Sequence, residues 1–333
     1  MSDKKYDVYA IGNALVDYEI EVDDAFFETH GIEKSLMTLV DGDRQAELIE
    51  VVKGHIKEKQ GGGSAANTVV AVSTLGGKGY YSCKVGNDED GIVYLNDLTA
   101  NGLETNLDAS NLPAGITGKC LVMVTPDAER TMNTFLGITS DFSVDEIDQE
   151  ALKSAEYLFI EGYLVTSESG LEAMKAAKKL AQENGVKTSL TFSDPSMVKY
   201  FNSQMKEVVG EGVDLLFCNE EEAMLFTDKD SLDEAKEIIK TYAKEFVITL
   251  GSKGALVYDG ENFINIESFP TTAIDSNGAG DMFSGAFLYG ITNGLSYSDA
   301  GKLASRASSE VVSKYGPRLS NRKFSEIKKE LFD

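Results

Sequence analysis

The chain has 333 residues, 42% of them apolar, enough for one large or two ordinary domains around a sizeable core. Lys plus Arg number 31 against 55 Asp plus Glu, and the net charge of −24 disfavours nucleic acid and anionic membranes as partners. Three cysteines without paired or metal-like spacing suit a reduced cytoplasmic setting, and two histidines, His30 and His55, leave a Ser-His-Asp hydrolase or a His-rich metal site little to work with.

In chain order, "KYDVYAIG" (5–12) predicts a buried first strand that turns at Gly12-Asn13. "LVDYEIEV" (15–22) alternates apolar and polar residues as a half-exposed strand does, and "SLMTLVD" (35–41) reads similarly. Apolar residues every three or four positions predict a helix over 42–56, and a second helix over 64–77 ends at Gly76-Gly77. A strand follows at 79–86. "GNDEDG" (86–91) has Gly86 where a calcium loop needs its first Asp, so it reads as a helix N-cap before a helix over 89–102. Short strands are expected from 105 to 136, with a hairpin at 118–137 turning at Pro126-Asp127. Beyond that point strand and helix alternate: helix 144–156, strand 157–163, helix 169–185, strand 186–192, strand 213–219 and a helix from Glu220. Two or three further strands lie within 246–266, and helices over 279–294, 298–315 and 322–332 end the chain.

Such alternation implies a mostly parallel sheet covered on both faces, in one α/β domain over 1–333. The segments 14–41 and 105–137 are expected to pair into a small β-sheet forming a lid over the crevice. The N-terminus lacks the pattern of a signal peptide, and no apolar stretch approaches the roughly 20 residues that cross a membrane.

Four stretches are candidates for chemistry. "GGGSAANTVV" (61–70) sets three glycines before Ser64, which can cap a helix, and Asn67, which both donates and accepts; it reads either as a flexible turn or as a cradle for hydroxyls. "NEEEAMLF" (219–226) follows a buried strand. Its acids suit a helix dipole, while Asn219 and Glu222 at a strand C-terminus could face hydrated Mg²⁺. "TLGSKGALVY" (249–258) is a hairpin turn or a flat surface for a planar ring. "DSNGAGD" (275–281) leads from a strand into a long apolar helix. Successive amides there make an anion hole, and Asp281 in the first turn can accept a hydroxyl proton. No Walker A loop is present, and Phe283 stands where a dinucleotide fingerprint needs its third glycine.

"DSNGAGD" resembles the C-terminal signature of the PfkB, or ribokinase-like, carbohydrate and nucleoside kinases, with Ser276 in place of the commoner Thr. "GGGSAAN" resembles their di-glycine signature and "NEEE" their N-x-x-E motif. The resemblance covers essentially the whole chain and implies a three-layer α/β/α fold with a β lid. It implies ATP-dependent phosphorylation of a primary hydroxyl, with Mg²⁺ and, beside Asp275, a monovalent cation such as K⁺. Carried over, Asp281 is the general base and the amides of Gly278, Ala279 and Gly280 form the anion hole. Asn219 serves phosphate, and Glu222 serves Mg²⁺ through water. Asn13, Asp17, Gly62, Gly63, Asn67 and Glu161 hold substrate, Arg130 brings positive charge from the lid, and Thr249, Gly251 and Gly254 lie near ATP.

Asn13 and Leu15 in "GNALVD" resemble the start of adenosine kinases, and Leu36, Met37, Cys120 and Phe135 would line a base pocket. Those apolar residues read equally well as the lid's own small core. Glu161 at a strand end speaks for a ribokinase or fructokinase instead. The expected substrate is a nucleoside, with a sugar as the alternative. A non-catalytic binding protein would need the base lost, and Asp281 is present. The expected partners are small molecules, in a monomer or homodimer.

Overall fold

The computed structural model describes residues 4–34, 37–126 and 130–332, with the backbone alone at Arg130. Its strands are β1 (Tyr6–Ile11), β2 (Leu15–Glu21), β3 (Met37–Leu39), β4 (Ile56–Gly62), β5 (Gly79–Ser82), β6 (Glu104–Thr105) and β7 (Gly118–Val124) in the first part of the chain. The remainder are β8 (Arg130–Phe135), β9 (Ala155–Glu161), β10 (Lys187–Thr191), β11 (Val213–Asn219), β12 (Ala243–Thr249), β13 (Ala255–Tyr258) and β14 (Phe263–Ile266). Among the described residues they form two sheets.

The large sheet runs β14-β13-β12-β11-β10-β9-β1-β5-β6 and is parallel from β12 to β6, with β13 and β14 added antiparallel. β1 shows why it is buried on both sides. Val8 and Ala10 enter one apolar core, while Tyr9 and Ile11 enter the other. Helices Ser64–Thr74, Ala279–Thr292, Tyr297–Val311 and Asn321–Phe332 cover the first face. Glu168–Glu183, Asn202–Val209, Glu220–Thr227 and Leu232–Ile239 cover the second. Among the described residues no helix is long and apolar enough to cross a membrane.

The small sheet has the order β3-β8-β7-β2-β4. Alternation along β2 sorts its two faces. Val16, Tyr18 and Ile20 pack in a core with Phe27, Leu48 and Val52 of the outer helices Asp24–His30 and Gly42–Val52, whereas Leu15 and Asp17 face a cleft.

Several elements differ from the sequence-based expectation. The helix predicted to reach 56 stops at Val52, and Ile56–Gly62 instead pairs antiparallel with β2. Gly54 interrupts the helix, and the charged residues 57–59 are tolerated because β4 is an edge strand with one partner. The start of the expected lid segment at 105 belongs to β6 in the large sheet, so the small sheet resumes only at Gly118. The helix predicted over 144–156 is broken. Ser143 caps a 3₁₀ turn at Val144–Glu146, Asp148 caps a short helix at Gln149–Lys153, and Ala155 already begins β9. Asp127 of the expected hairpin turn lies outside the described residues, and β7 and β8 pair antiparallel on either side of it.

Candidate active site

The parallel strands β9, β10, β11 and β12 end on one edge of the large sheet, and the small sheet stands across that edge. Between them lies a cleft of about 570 Å³. Ligands in open α/β sheets bind beyond the carboxyl ends of strands, and here those ends supply Glu161, Asn219 and Thr249.

Asp281 lies in the first turn of helix Ala279–Thr292. Ser64 Oγ donates to its Oδ1 at 2.6 Å, and Asn67 Nδ2 donates to its Oδ2 at 3.1 Å. Burial pushes its carboxyl up to about 6, against the downward pull of those two hydrogen bonds and of the Arg318 charge. Ser64 is therefore not the expected helix cap. Gly63 occupies the N-cap position, and the Ser64 hydroxyl turns to the carboxylate instead.

Before Asp281, Gly278 holds φ 70° and ψ 3°, a left-handed geometry that turns the chain into the helix. The amides of 278–280 stand at the N-terminus, where first-turn donors have no intrahelical acceptor, and all three residues line the cleft. The Ala279 amide closes only a long turn bond of 3.4 Å to Ser276. Asp275 lies behind this loop, buried; its Oδ1 accepts from the Asn277 amide and its Oδ2 from the Gly316 amide.

Glu161 is 1% exposed. Its Oε1 accepts from the Asn13 amide and from Asn13 Nδ2, each at 3.1 Å, and its Oε2 accepts from the Ala65 amide at 2.8 Å. It thereby ties the end of β1 to the start of helix Ser64–Thr74. A Cβ at Gly12 would collide with this carboxylate, which explains the glycine. Burial raises the Glu161 carboxyl to about 7 from its ordinary value of 4.5, and the Asp281 charge adds to the rise. The folded protein thus holds a proton that the unfolded chain has released between those two values, so this group withdraws stability as pH rises through that window. Melting temperatures from about pH 5 to about pH 8 should show Glu161→Gln flattening the decline seen in the wild type. An identical slope in both proteins would remove Glu161 as its source.

Asn219 and Glu222 form a reciprocal capping box. Asn219 Oδ1 accepts from the Glu222 amide, and the Glu222 carboxylate accepts from the Asn219 amide and from Asn219 Nδ2. The helix-start reading and the site reading therefore hold of the same residues, since both side chains line the cleft. Burial raises the Glu222 carboxyl to about 7, with a further push from Asp194. Asp194 also lines the cleft and caps helix Pro195–Tyr200.

Of the other expected site residues, Asn13, Asp17, Gly63 and Thr249 line the cleft. Gly62 lies against Asp17, whose carboxylate would clash with any Cβ there. Gly251 lines a shallow recess beside the cleft with Glu220, Met224 and Leu250. Gly254 is outside both. It is buried in the β12–β13 connection with φ 96°, against the Ile266 carbonyl, so it serves the turn. Arg130 begins β8, and its side chain lies outside the described residues, as does Leu36. Met37 and Cys120 line the cleft as expected, but Phe135 does not. The alternation of β8 puts Met132 and Thr134 toward the cleft and turns Phe135 to Gly42 on the outer side.

Sequence reasoning missed Ser64 as a partner of the base, and it missed Asp194 and Tyr163 in the cleft lining and Arg318 as a charge acting on Asp281. Asp194-Pro195 was open to detection, because a helix cap directly after a parallel strand marks a strand C-terminus. Neither histidine lines the cleft.

The family described as pfkB family carbohydrate kinase matches residues 37–323. The crystal structure of a probable sugar kinase protein from Rhizobium etli is 31% identical, covers 98% of each chain and superposes with a TM-score of 0.90. Adenosine kinase from Sinorhizobium meliloti is also 31% identical, over 97% of this chain and 99% of its own, with a TM-score of 0.88. An adenosine kinase of Saccharomyces cerevisiae is 26% identical over 85% of this chain and 88% of its own length. Ribokinases and fructokinases stand among the other relatives.

Proposed function

Since the chain belongs to the pfkB family of carbohydrate kinases, which phosphorylate a sugar or nucleoside hydroxyl, we propose that its acceptor is the primary hydroxyl of an adenosine-like nucleoside. The observation that carries this reading is the composition of the cleft wall. The inner face of the small sheet presents Leu15, Met37, Leu39, Cys120, Val122 and Met132, an apolar surface of the kind that suits a planar base. Asp17 stands beside it at the β2 position where a ribose diol would be gripped. Glu161, the residue that spoke for a sugar, has its carboxylate committed to Asn13 and Ala65.

With the nucleoside so placed, its hydroxyl points at Asp281. The carboxylate accepts the hydroxyl proton as the new O–P bond forms and the bond between the γ-phosphorus and ADP breaks. Amides at 278–280 stabilise the charge on the transferring group. Thr249 and Gly251 flank the nucleotide. Asn219, Glu222 and Asp194 suit a hydrated Mg²⁺: the Asp194 charge is close enough to push the Glu222 carboxyl upward, yet no cluster of three or more His, Cys, Asp or Glu ligands exists among the described residues. When bound, Mg²⁺ neutralises phosphate charge. Asp275 shapes the loop, and a K⁺ ion beside it belongs to the same reading.

ADP release measured across adenosine, inosine, ribose and fructose tests the substrate. Turnover should be strongest with adenosine, should vanish with EDTA, and should fall when K⁺ is replaced by tetramethylammonium. Strong turnover with ribose or fructose and none with nucleosides would overturn the nucleoside assignment and leave a sugar kinase.

A further inference from the structure

Residues Gly316, Pro317 and Arg318 follow the helix Tyr297–Val311 and touch the loop 275–281 and its surroundings at three places. The Gly316 amide donates to Asp275 Oδ2 at 3.1 Å. Pro317 packs directly against Gly278, where a Cβ would collide with its ring. The largely buried Arg318 side chain donates from Nε to Asn67 Oδ1 at 2.9 Å and from Nη1 to Asp97 Oδ2 at 2.5 Å. Its Nη2 is buried without a hydrogen-bond partner among the described residues. The guanidinium is therefore held by those two anchors, Asn67 on helix Ser64–Thr74 and Asp97 on helix Glu89–Ala100.

The Asn67 amide has two ends of opposite character, and nothing in its shape decides which end faces Asp281. Arg318 decides it. A guanidinium donates and cannot accept, so it admits only Asn67 Oδ1 on its side. Nδ2 is left facing Asp281 Oδ2, as observed at 3.1 Å. A flipped amide would turn two donors toward Arg318 and an oxygen toward a carboxylate. We propose that Arg318 is a positioning residue for Asp281: by fixing the orientation of the Asn67 amide it keeps a donor on the base and holds that carboxylate in place. This rests on the reading of Asp281 as the base.

The charges around Asp281 set what the proposal predicts for pH. Glu161 at the end of β9 is the neighbouring acid, Ser64 and Asn67 on helix Ser64–Thr74 are neutral, the Tyr163 phenol follows β9, and Arg318 is the cation. Asp97 offsets part of the Arg318 charge from the far side. Both the charge and the Asn67 hydrogen bond favour the ionised carboxylate, so losing Arg318 moves the Asp281 carboxyl upward.

The test is kinetic, on purified full-length protein with the best acceptor from the panel, comparing R318M, N67A, the double variant and D281N. R318M should lower kcat by about 10-fold to 100-fold and move the acid limb of kcat/KM to higher pH. At a pH well above the acid limb, where Asp281 is ionised in every variant and the Arg318 charge no longer matters for its protonation, the double variant should be no slower than N67A alone, because Arg318 then acts through Asn67. R318K should return the acid limb toward wild type by restoring the charge while leaving kcat depressed, since one ammonium cannot bridge Asn67 and Asp97 as a planar fork does. Additive losses in the double variant, or an unmoved acid limb in R318M, would overturn the proposal. If R318M fails to fold, R318K and its double variant with N67A carry the same non-additivity test. D281N separates the two readings: near-wild-type turnover there removes the base itself, whereas a dead D281N with additive R318M and N67A losses removes only the role of Arg318.

Discussion

Asp281→Asn should lower kcat by about 10² or more while the affinity for ATP stays close to wild type. The substitution keeps the size and planarity of the side chain, so Ser64 and Asn67 still pack against it, but an amide cannot take up a hydroxyl proton. The Asp281 side chain bonds to Ser64 and Asn67, whereas Thr249 and Asn219 on the nucleotide-facing side lie at the ends of β12 and β11. The wild-type protein supplies a companion measurement. With its carboxyl raised to about 6, Asp281 is mostly ionised at neutral pH and protonated below that value, so kcat/KM should fall as pH drops through it. Kinetics for the rate and calorimetry for ATP binding read the two effects separately. Turnover near wild type in the Asn variant would remove Asp281 from the chemistry.

Gly278→Ala should be nearly as damaging, through geometry alone. Gly278 sits at φ 70°, where a side chain costs roughly 1–2 kcal/mol. Its added methyl would also meet Pro317, which the preceding and following hydrogen bonds of the turn hold in place. The loop must move, and its amides move with it. Misplacing one donor of an anion hole typically costs about 10²–10³ in kcat. Because the disturbance is confined to a loop at the cleft, the melting temperature should fall by only a few degrees, in line with a loss of roughly 1–3 kcal/mol. Wild-type kcat in this variant would show that the amides at 278–280 do not carry the transferring group.

The parts of this site that were legible in the sequence are those encoded by a run of adjacent residues. "DSNGAGD" specifies a strand-to-helix turn by its glycines, and the carboxylate falls in the first helical turn whatever surrounds it. "NEEE" specifies a helix start, and the capping box forms between residues three apart. Features that depend on a distant partner were not legible. Ser64 looks like a helix cap until Asp281, 217 residues further on, is brought against its hydroxyl. Glu161 looks like a substrate contact until Asn13 and Ala65 are seen to use its oxygens.

By itself, the sequence determined the alternation of strands and helices, the burial of the large sheet on both faces, and the glycine loop that ends in a carboxylate. Each follows from periodicity or backbone freedom over a few residues. Only the tertiary structure decided that Ile56–Gly62 is an edge strand paired with β2, that Phe135 faces away from the cleft, and that Arg318 reaches Asn67 across 251 residues. Strand register and long-range hydrogen bonds are chosen by the packing of elements against one another, and the spacing of residues along the chain carries no record of that choice.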